Sequence, residues 1–242
     1  MRAQATATTR AISVGESGVP LRAVPASRRR WAAVMMAVAL LLLVLAGFRF
    51  HSALMFQVAQ SKRAFTQTPD RLGVLNEALA AAEKAQRSDP GNPNVGELEL
   101  DLSLLVAAEN REPSRDTSAR LLPRYRELIA LRPRWPYARA NLVSAKLRAG
   151  QIDQETNQEL REMIALGPWE PRLQMLAADI LYAYGDALEP ASREALLGAL
   201  DRAVQWQPHE VMDRGERRGQ MPFLCSRYSA ASRTVKAICE RG

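Results

Sequence analysis

LRPRWPYARANLVSAKLRAG, residues 131–150, and LGPWEPRLQMLAADILYAYG, residues 166–185, decide the fold of this 242-residue chain. Leu131, Pro133, Pro136 and Gly150 of the first phrase fall on Leu166, Pro168, Pro171 and Gly185 of the second, 35 positions on. Between them, Ala140, Leu142 and Val143 fall on Met175, Ala177 and Ala178, at the spacing of a helix face. Each phrase reads as the first helix of a helix–turn–helix unit. Proline starts or separates the helices, and glycine supplies the tight turn within the pair. A period of 34 to 35 residues is that of the tetratricopeptide repeat (TPR), in which a helix pair buries its apolar face only by stacking on its neighbours. The Trp and Tyr positions of that consensus are largely replaced here. The expectation is an all-α fold whose main part is a TPR-like helical-hairpin solenoid.

Working outward, the unit that holds the first phrase has a helix from Tyr137 to Ala149, a turn at Gly150, Asp153 as N-cap and a second helix to Leu166. The next runs from Pro171 to Tyr184, turns at Gly185, restarts with Pro190 as the first helical residue and ends at Trp206-Gln207-Pro208. Upstream, Asn94 and Glu97 read as a capping box that opens a helix through Leu98, Leu102 and Leu105. The polar stretch NREPSRDTSAR, residues 110–120, reads as a loop, with a helix from about Leu121 to Leu131 after it. Repeats therefore occupy residues 94–208, and residues 209–242 form a C-terminal helical cap. Before the repeats, residues 49–93 read as membrane-proximal helices. Arg49 to Phe65 presents Leu54, Met55 and Val58 on one face, Pro69 stops it, and Asp70 caps a helix that the DPGNPN stretch ends.

The N-terminal segment explains most of the charge. The formal net charge is +7, and the first thirty residues, with six arginines and one glutamate, hold five of those seven. A counterion-release footprint needs basic residues gathered on a folded face, so nucleic acid is not an expected partner. Residues 1–30 read as a disordered, basic, cytoplasmic leader. Arg28, Arg29 and Arg30 precede WAAVMMAVALLLLVLAGF, residues 31–48, which carries no charge until Arg49. Eighteen helical residues span roughly 27 Å, the thickness of a bilayer's hydrocarbon core. The basic excess before it predicts a single-pass membrane protein with a cytoplasmic N-terminus and its C-terminal domain across the membrane, which the resemblance given below would make the inner membrane and periplasm of a bacterium. A cleavable signal peptide, with Val44 and Ala46 as the small residues of its site, is the rival reading; its apolar core is shorter than this one. The folded part is exported in both cases.

Three features invite a functional reading. Residues 120–148 hold Arg120, Arg124, Arg126, Arg132, Arg134, Arg139, Lys146 and Arg148 against Glu127 alone. Arg124, Arg132, Arg134 and Arg139 are the candidate binding patch, for an anionic polysaccharide, anionic lipid headgroups or an acidic partner. The alternative is pairing with the acidic stretches on either side, Glu97 to Asp101 and Asp153 to Glu162. Trp135, Trp169 and Trp206 each stand within two residues of a unit-ending proline. Packing between successive units is the favoured reading, and a platform for sugar rings is the other. Cys225 and Cys239 are the only cysteines, and in an oxidising compartment they are expected to form a disulfide. Fourteen helical residues would hold them about 21 Å apart, so the chain must fold back between them, near Ser229 to Ser232.

Catalytic motifs are absent from the sequence. His209 with Glu210 and Asp213 lacks the second histidine of a zinc helix, and there is no nucleophile elbow, P-loop or dinucleotide fingerprint. No enzyme activity, metal or cofactor is expected. RPRWPYARANL (132–142), LGPWEP (166–171), the Leu224-Cys225 pair and the Ile238-Cys239 pair together resemble the VpsP-like polysaccharide biosynthesis proteins of Gram-negative bacteria. The resemblance covers most of the exported part. It implies a role in exopolysaccharide assembly or export among the protein partners of that machine, and it supplies no active-site residue. Direct binding of an anionic glycan, and a general envelope adaptor for secretion or cofactor-maturation complexes, are the other readings.

Overall fold

A computed structural model describes residues 26–64 and 70–240. Residues 1–25 of the expected leader and the stop at Pro69 lie outside the described residues, while residues 26–30, expected to be disordered, form the start of the first helix. Among the described residues there are eleven α-helices, one short 3-10 turn and no strand. The chain divides into two compact units, residues 1–46 and 47–242. The first contains the start of α1 (Ala26–Ala64), whose side chains from Val34 to Leu45 are exposed wherever they are large and apolar. Residues 33–62 of this helix form a stretch long and apolar enough to cross a membrane.

The second unit is a series of antiparallel helices. Residues 47–64 of α1 pack on α2 (Arg71–Ser88), where the Ser52 hydroxyl donates to the Ala85 carbonyl at 3.0 Å and Lys62 pairs with Glu77. The buried face of this part of α1 carries Ser52, Phe56 and Ala59 rather than the expected Leu54, which is exposed. Small residues win that face because α2 presents alanines, Ala78, Ala81 and Ala82, and helices joined through alanine approach closely. Asp70 caps α2 as expected, its carboxylate accepting from the Gly73 N–H at 3.0 Å.

Next come α3 (Pro93–Glu109) and α4 (Ser114–Leu131), then α5 (Pro136–Arg148) and α6 (Gln154–Leu166), then α7 (Pro171–Tyr184) and α8 (Pro190–Trp206). Two boundaries differ from the sequence reading. The N-cap of α3 is Asn92, whose side chain accepts from the Asn94 N–H at 3.2 Å, so Asn94 lies inside the helix and the Asn94/Glu97 capping box does not form. Helix α4 begins at Ser114, seven residues before the expected Leu121. Its polar first turns look like loop in sequence but are satisfied in place: buried Thr117 donates to Glu112 at 3.2 Å, and buried Ser118 accepts from Arg148 at 3.3 Å. Pro123, inside α4, sits on the exposed side, where the Ala119 carbonyl that loses its donor is open to water.

The second-to-first helix junctions repeat one geometry. Asp89, Arg132, Gly167 and Gln207, which end α2, α4, α6 and α8, share φ between −146° and −128° and ψ between 52° and 73°. Asn92, Trp135 and Glu170 each donate a backbone N–H to the carbonyl three residues back, at 3.1, 3.0 and 3.3 Å, and each precedes a proline that opens the next helix. Residues 89–93, 132–136 and 167–171 are therefore three copies of one x-Pro-x-x-Pro turn, and Gln207-Pro208 is a shortened fourth. The turns inside the pairs are less uniform. Gly150 adopts the left-handed conformation at φ +73°, whereas Gly185 stays right-handed at φ −51° and leads into the 3-10 turn Gly185–Ala187.

The core is a chain of clusters threaded through the first helix of each pair. From α3, Leu98 and Leu102 face α2 while Leu100 joins Leu122, Tyr125 and Leu128 of α4. From α5, Leu142 and Ala145 join that α4 cluster while Ala140, Val143 and Leu147 join Leu160 and Met163 of α6. From α7, Leu173, Ala177 and Ile180 meet α6 and α8, and Met175 and Ala178 meet the C-terminal helices. Those are α9 (Pro208–Arg217), α10 (Met221–Tyr228) and α11 (Arg233–Cys239). The chain folds back between the last two, and Cys225 and Cys239 form a disulfide with their Cα atoms 5.8 Å apart. The bridge and the position of the reversal both agree with the sequence reading.

Candidate binding surface

Burial on two faces leaves α5 a single open stripe, with counterparts on its neighbours. In α5 it is Tyr137, Asn141, Ser144 and Arg148, spaced four, three and four. The equivalents 35 residues on in α7 are Arg172, Leu176, Asp179 and Ala183, none of them buried. Helix α3 contributes Asn94, Glu97 and Asp101. The surface is mostly polar. Asn141 and Ser144 have no hydrogen-bond partner among the described residues, so an amide and a hydroxyl are available to a ligand's main chain. A cleft of about 260 Å³ lined by Arg172, Leu176, Asp179, Glu210 and Arg214 continues the stripe on to α9. Asp179 pairs there with Arg214, which also bonds Glu210 at 2.9 Å. Glu210 is thereby engaged away from His209.

At the α3 end, burial pushes the Glu97 carboxyl above its usual range, and Arg132 beside it pulls in the opposite direction. One Glu97 oxygen is buried without a hydrogen-bond partner. In sequence, Asn94 and Glu97 stood out as caps and Asp101 and Arg148 as charges, but none of the stripe residues stood out as a binding surface. The signal was present in the intervals 137, 141, 144, 148 and their images 35 residues later, which are the positions between the buried ones.

The four candidate arginines do not share one environment. Arg124, on α4, pairs with Glu99 at 3.2 Å and with Glu127. Arg139, on α5, is 9% exposed; it pairs with Glu159 and with Glu162 at 2.8 Å and donates to the Pro133 carbonyl at 3.1 Å. Arg132 donates to Asn94 at 3.0 Å and lies over the Trp135 ring at 5.8 Å. Arg134 is exposed and has no partner among the described residues. Most of the basic run is instead drawn into seams between successive helices, the pairing that the flanking acidic stretches allow.

The deepest seam centres on Lys146, which is 1% exposed on α5. Its ammonium lies 2.8 Å from Asp153 and 2.5 Å from Glu155, and Arg126 of α4 holds Glu155 from the other side at 2.7 Å. Burial raises the Asp153 carboxyl, but bonds from Lys146 and from the N–H and hydroxyl of Thr156 outweigh it and hold the group at about 2. The Arg126 bond, aided by Lys146, holds Glu155 at about 2. Three helices are thereby joined by one charged network.

Two of the three junction tryptophans are not where packing would put them. Trp169 and Trp206 are 67% and 71% exposed, which overturns for them the expectation of packing between units, whereas Trp135, 40% exposed, lies 5.2 Å from the Tyr137 ring and bonds Glu97 of α3. The physical reason is that successive junctions approach too closely. A Cβ on Gly167 would meet Leu173 Cδ1 at 2.5 Å and Pro136 Cβ at 3.2 Å, which leaves no room for an indole, and the ring turns outward. Arg202 lies over the Trp169 ring at 5.9 Å. No protein-family model matches the chain, and no curated protein matches it in sequence.

Proposed function

We propose that this protein is a single-pass scaffold of the bacterial envelope, whose TPR-like hairpins hold a partner protein in the groove formed by the open stripes of α3, α5 and α7. Helix α1 anchors it in the inner membrane, and the arginine excess before the apolar stretch favours a cytoplasmic N-terminus with the repeats in the periplasm. The Cys225–Cys239 disulfide supports an oxidising compartment. The observation that carries the reading is the repeated stripe: two-sided burial fixes the first helices rigidly, and what remains open, Tyr137, Asn141, Ser144, Arg172 and Asp179, suits an extended or helical peptide segment. Anchoring keeps the groove near the membrane complex it serves and raises its effective concentration there. Exopolysaccharide assembly or export is the setting we propose, on the resemblance of the 132–142 and 166–171 phrases to VpsP-like proteins.

A photo-crosslinking residue placed at Asn141 or Ser144 in membranes of cells producing the polymer tests this. The expected result is a discrete crosslinked partner that the same residue at exposed Ala165, on α6, does not capture. Equal labelling from both positions would remove the groove from consideration. A periplasm-active enzyme fused to the C-terminus is expected to be active, and a reporter active only in the cytoplasm is expected to be silent.

A further inference from the structure

Beyond α1, the exposed large hydrophobic side chains among the described residues are Leu131, Trp135, Leu166, Trp169 and Trp206. All five stand at the second-to-first helix junctions. The antiparallel register puts those junctions at one end of the repeat unit: Arg132 reaches Asn94, Tyr137 reaches Glu170 at 2.8 Å, and Arg202 donates to the Pro168 carbonyl at 2.9 Å. The first junction, beginning at Asp89, is fixed to the same end by Ser52, which bonds Ala85 at the close of α2. Ser52 is five residues from Gly47, where the chain enters this unit from its apolar stretch.

Cations stand beside the rings: Arg132 lies over Trp135, Arg202 over Trp169, and exposed Arg134 is next to Trp135 in the chain. The three loops at the opposite end, 110–113, 149–153 and 185–189, hold no exposed large hydrophobic. Indole and guanidinium together suit the level of lipid headgroups, where a ring is half in hydrocarbon and a cation meets phosphate.

We infer that the edge bearing Trp135, Trp169 and Trp206 rests on the bilayer that α1 crosses, with Arg132, Arg134 and Arg202 at the phosphates. This deepens the anchoring reading above and rests on it.

The test uses the full chain in nanodiscs of phosphatidylethanolamine and phosphatidylglycerol, with and without brominated acyl chains, which quench indole emission on contact. Four proteins each keep one native tryptophan with the other three changed to Phe, and a fifth has all four changed and carries Ala187→Trp on the opposite edge. Circular dichroism checks that each is folded. The expected result is loss of emission for Trp135, Trp169 and Trp206 approaching that of Trp31, with position 187 unaffected. Quenching of Trp31 with the three junction rings untouched would overturn the inference and leave the anchor standing. An unquenched Trp31 would remove the anchor and the inference together. Equal quenching at position 187 would overturn the inference, since no edge would then be preferred. Emission from the three that responds to an acidic oligosaccharide but not to bromolipid would make the edge a glycan site instead.

Discussion

Gln174 donates from Nε2 to the carbonyl of Pro168 at 2.9 Å, spanning the turn into α7 from a buried position inside the helix. Thirty-five residues earlier, Arg139 makes the same bond to Pro133 at 3.1 Å. The side chains differ, and what is repeated is the donor. Arg202 supplies a second donor to the Pro168 carbonyl at 2.9 Å. Gln174→Ala and Arg202→Ala are each expected to lower stability by about 1 kcal/mol. The double variant should lose more than the two together, because the carbonyl is then left with neither donor. Urea denaturation of the four proteins of the cycle measures this, and strict additivity would show that the two donors act independently.

Lys146→Met removes a buried cation from between Asp153 and Glu155 and is expected to cost about 2 kcal/mol, since the carboxylates are near enough to the surface to regain water. Thermal unfolding at neutral pH reads the loss directly.

The same network sets an acid limb. Asp153 and Glu155 titrate at about 2 in the folded chain, below the ordinary 3.8 and 4.5. Depressed carboxyl values mean that the unfolded chain takes up protons first. The stability they contribute is complete above the unfolded values and is lost as pH falls toward 2. Tm measured from neutral pH down to pH 2 should fall through that window. The Lys146→Met protein should show a shallower fall; parallel curves would assign the acid limb to other groups.

Gly150→Ala places a Cβ at φ +73°, and the nearest neighbour outside the turn, the Arg115 guanidinium at 3.7 Å, leaves room for it. The expected cost, about 1 kcal/mol, is conformational. Gly185→Ala has no such penalty at φ −51°, and asks only a small shift of Leu181, whose Cδ1 lies 3.1 Å from the added carbon. Guanidinium denaturation midpoints of the two variants should differ in that order.

Replacing Cys225 and Cys239 by Ser opens a 14-residue separation, which in the loop-entropy account lowers stability by about 3 kcal/mol. The effect should concentrate in α10 and α11, with amide exchange there accelerated and that of α5 unchanged.

The helices of the two central pairs were legible in sequence because both copies of the phrase keep their prolines and their apolar spacing. The earliest copy was not. DPGNP at 89–93 has the same turn as RPRWP, but its two prolines and Gly91 read as breakers, and Asn94 with Glu97 mimics a cap two residues too late. The start of α4 was hidden because Thr117 and Ser118 are polar yet buried, their hydroxyls engaged by Glu112 and Arg148. The tryptophans misled for a different reason. Proximity to a junction says that a side chain is near the seam, and only the closeness of Gly167 to Pro136 and Leu173 shows that the seam is already full. The open stripe was the hardest to see, since Asn141 and Ser144 are recognised by the burial of their neighbours and by no chemistry of their own.

The part of α1 that belongs with α2 begins at Gly47, downstream of Ala46. Cleavage after Ala46 would therefore leave Ser52, Phe56 and Ala59 still seated on α2, so that the unit from Gly47 onward keeps its own lid. On the anchored reading proposed above, a peptidase acting there would free the repeats with their interior unchanged and no refolding.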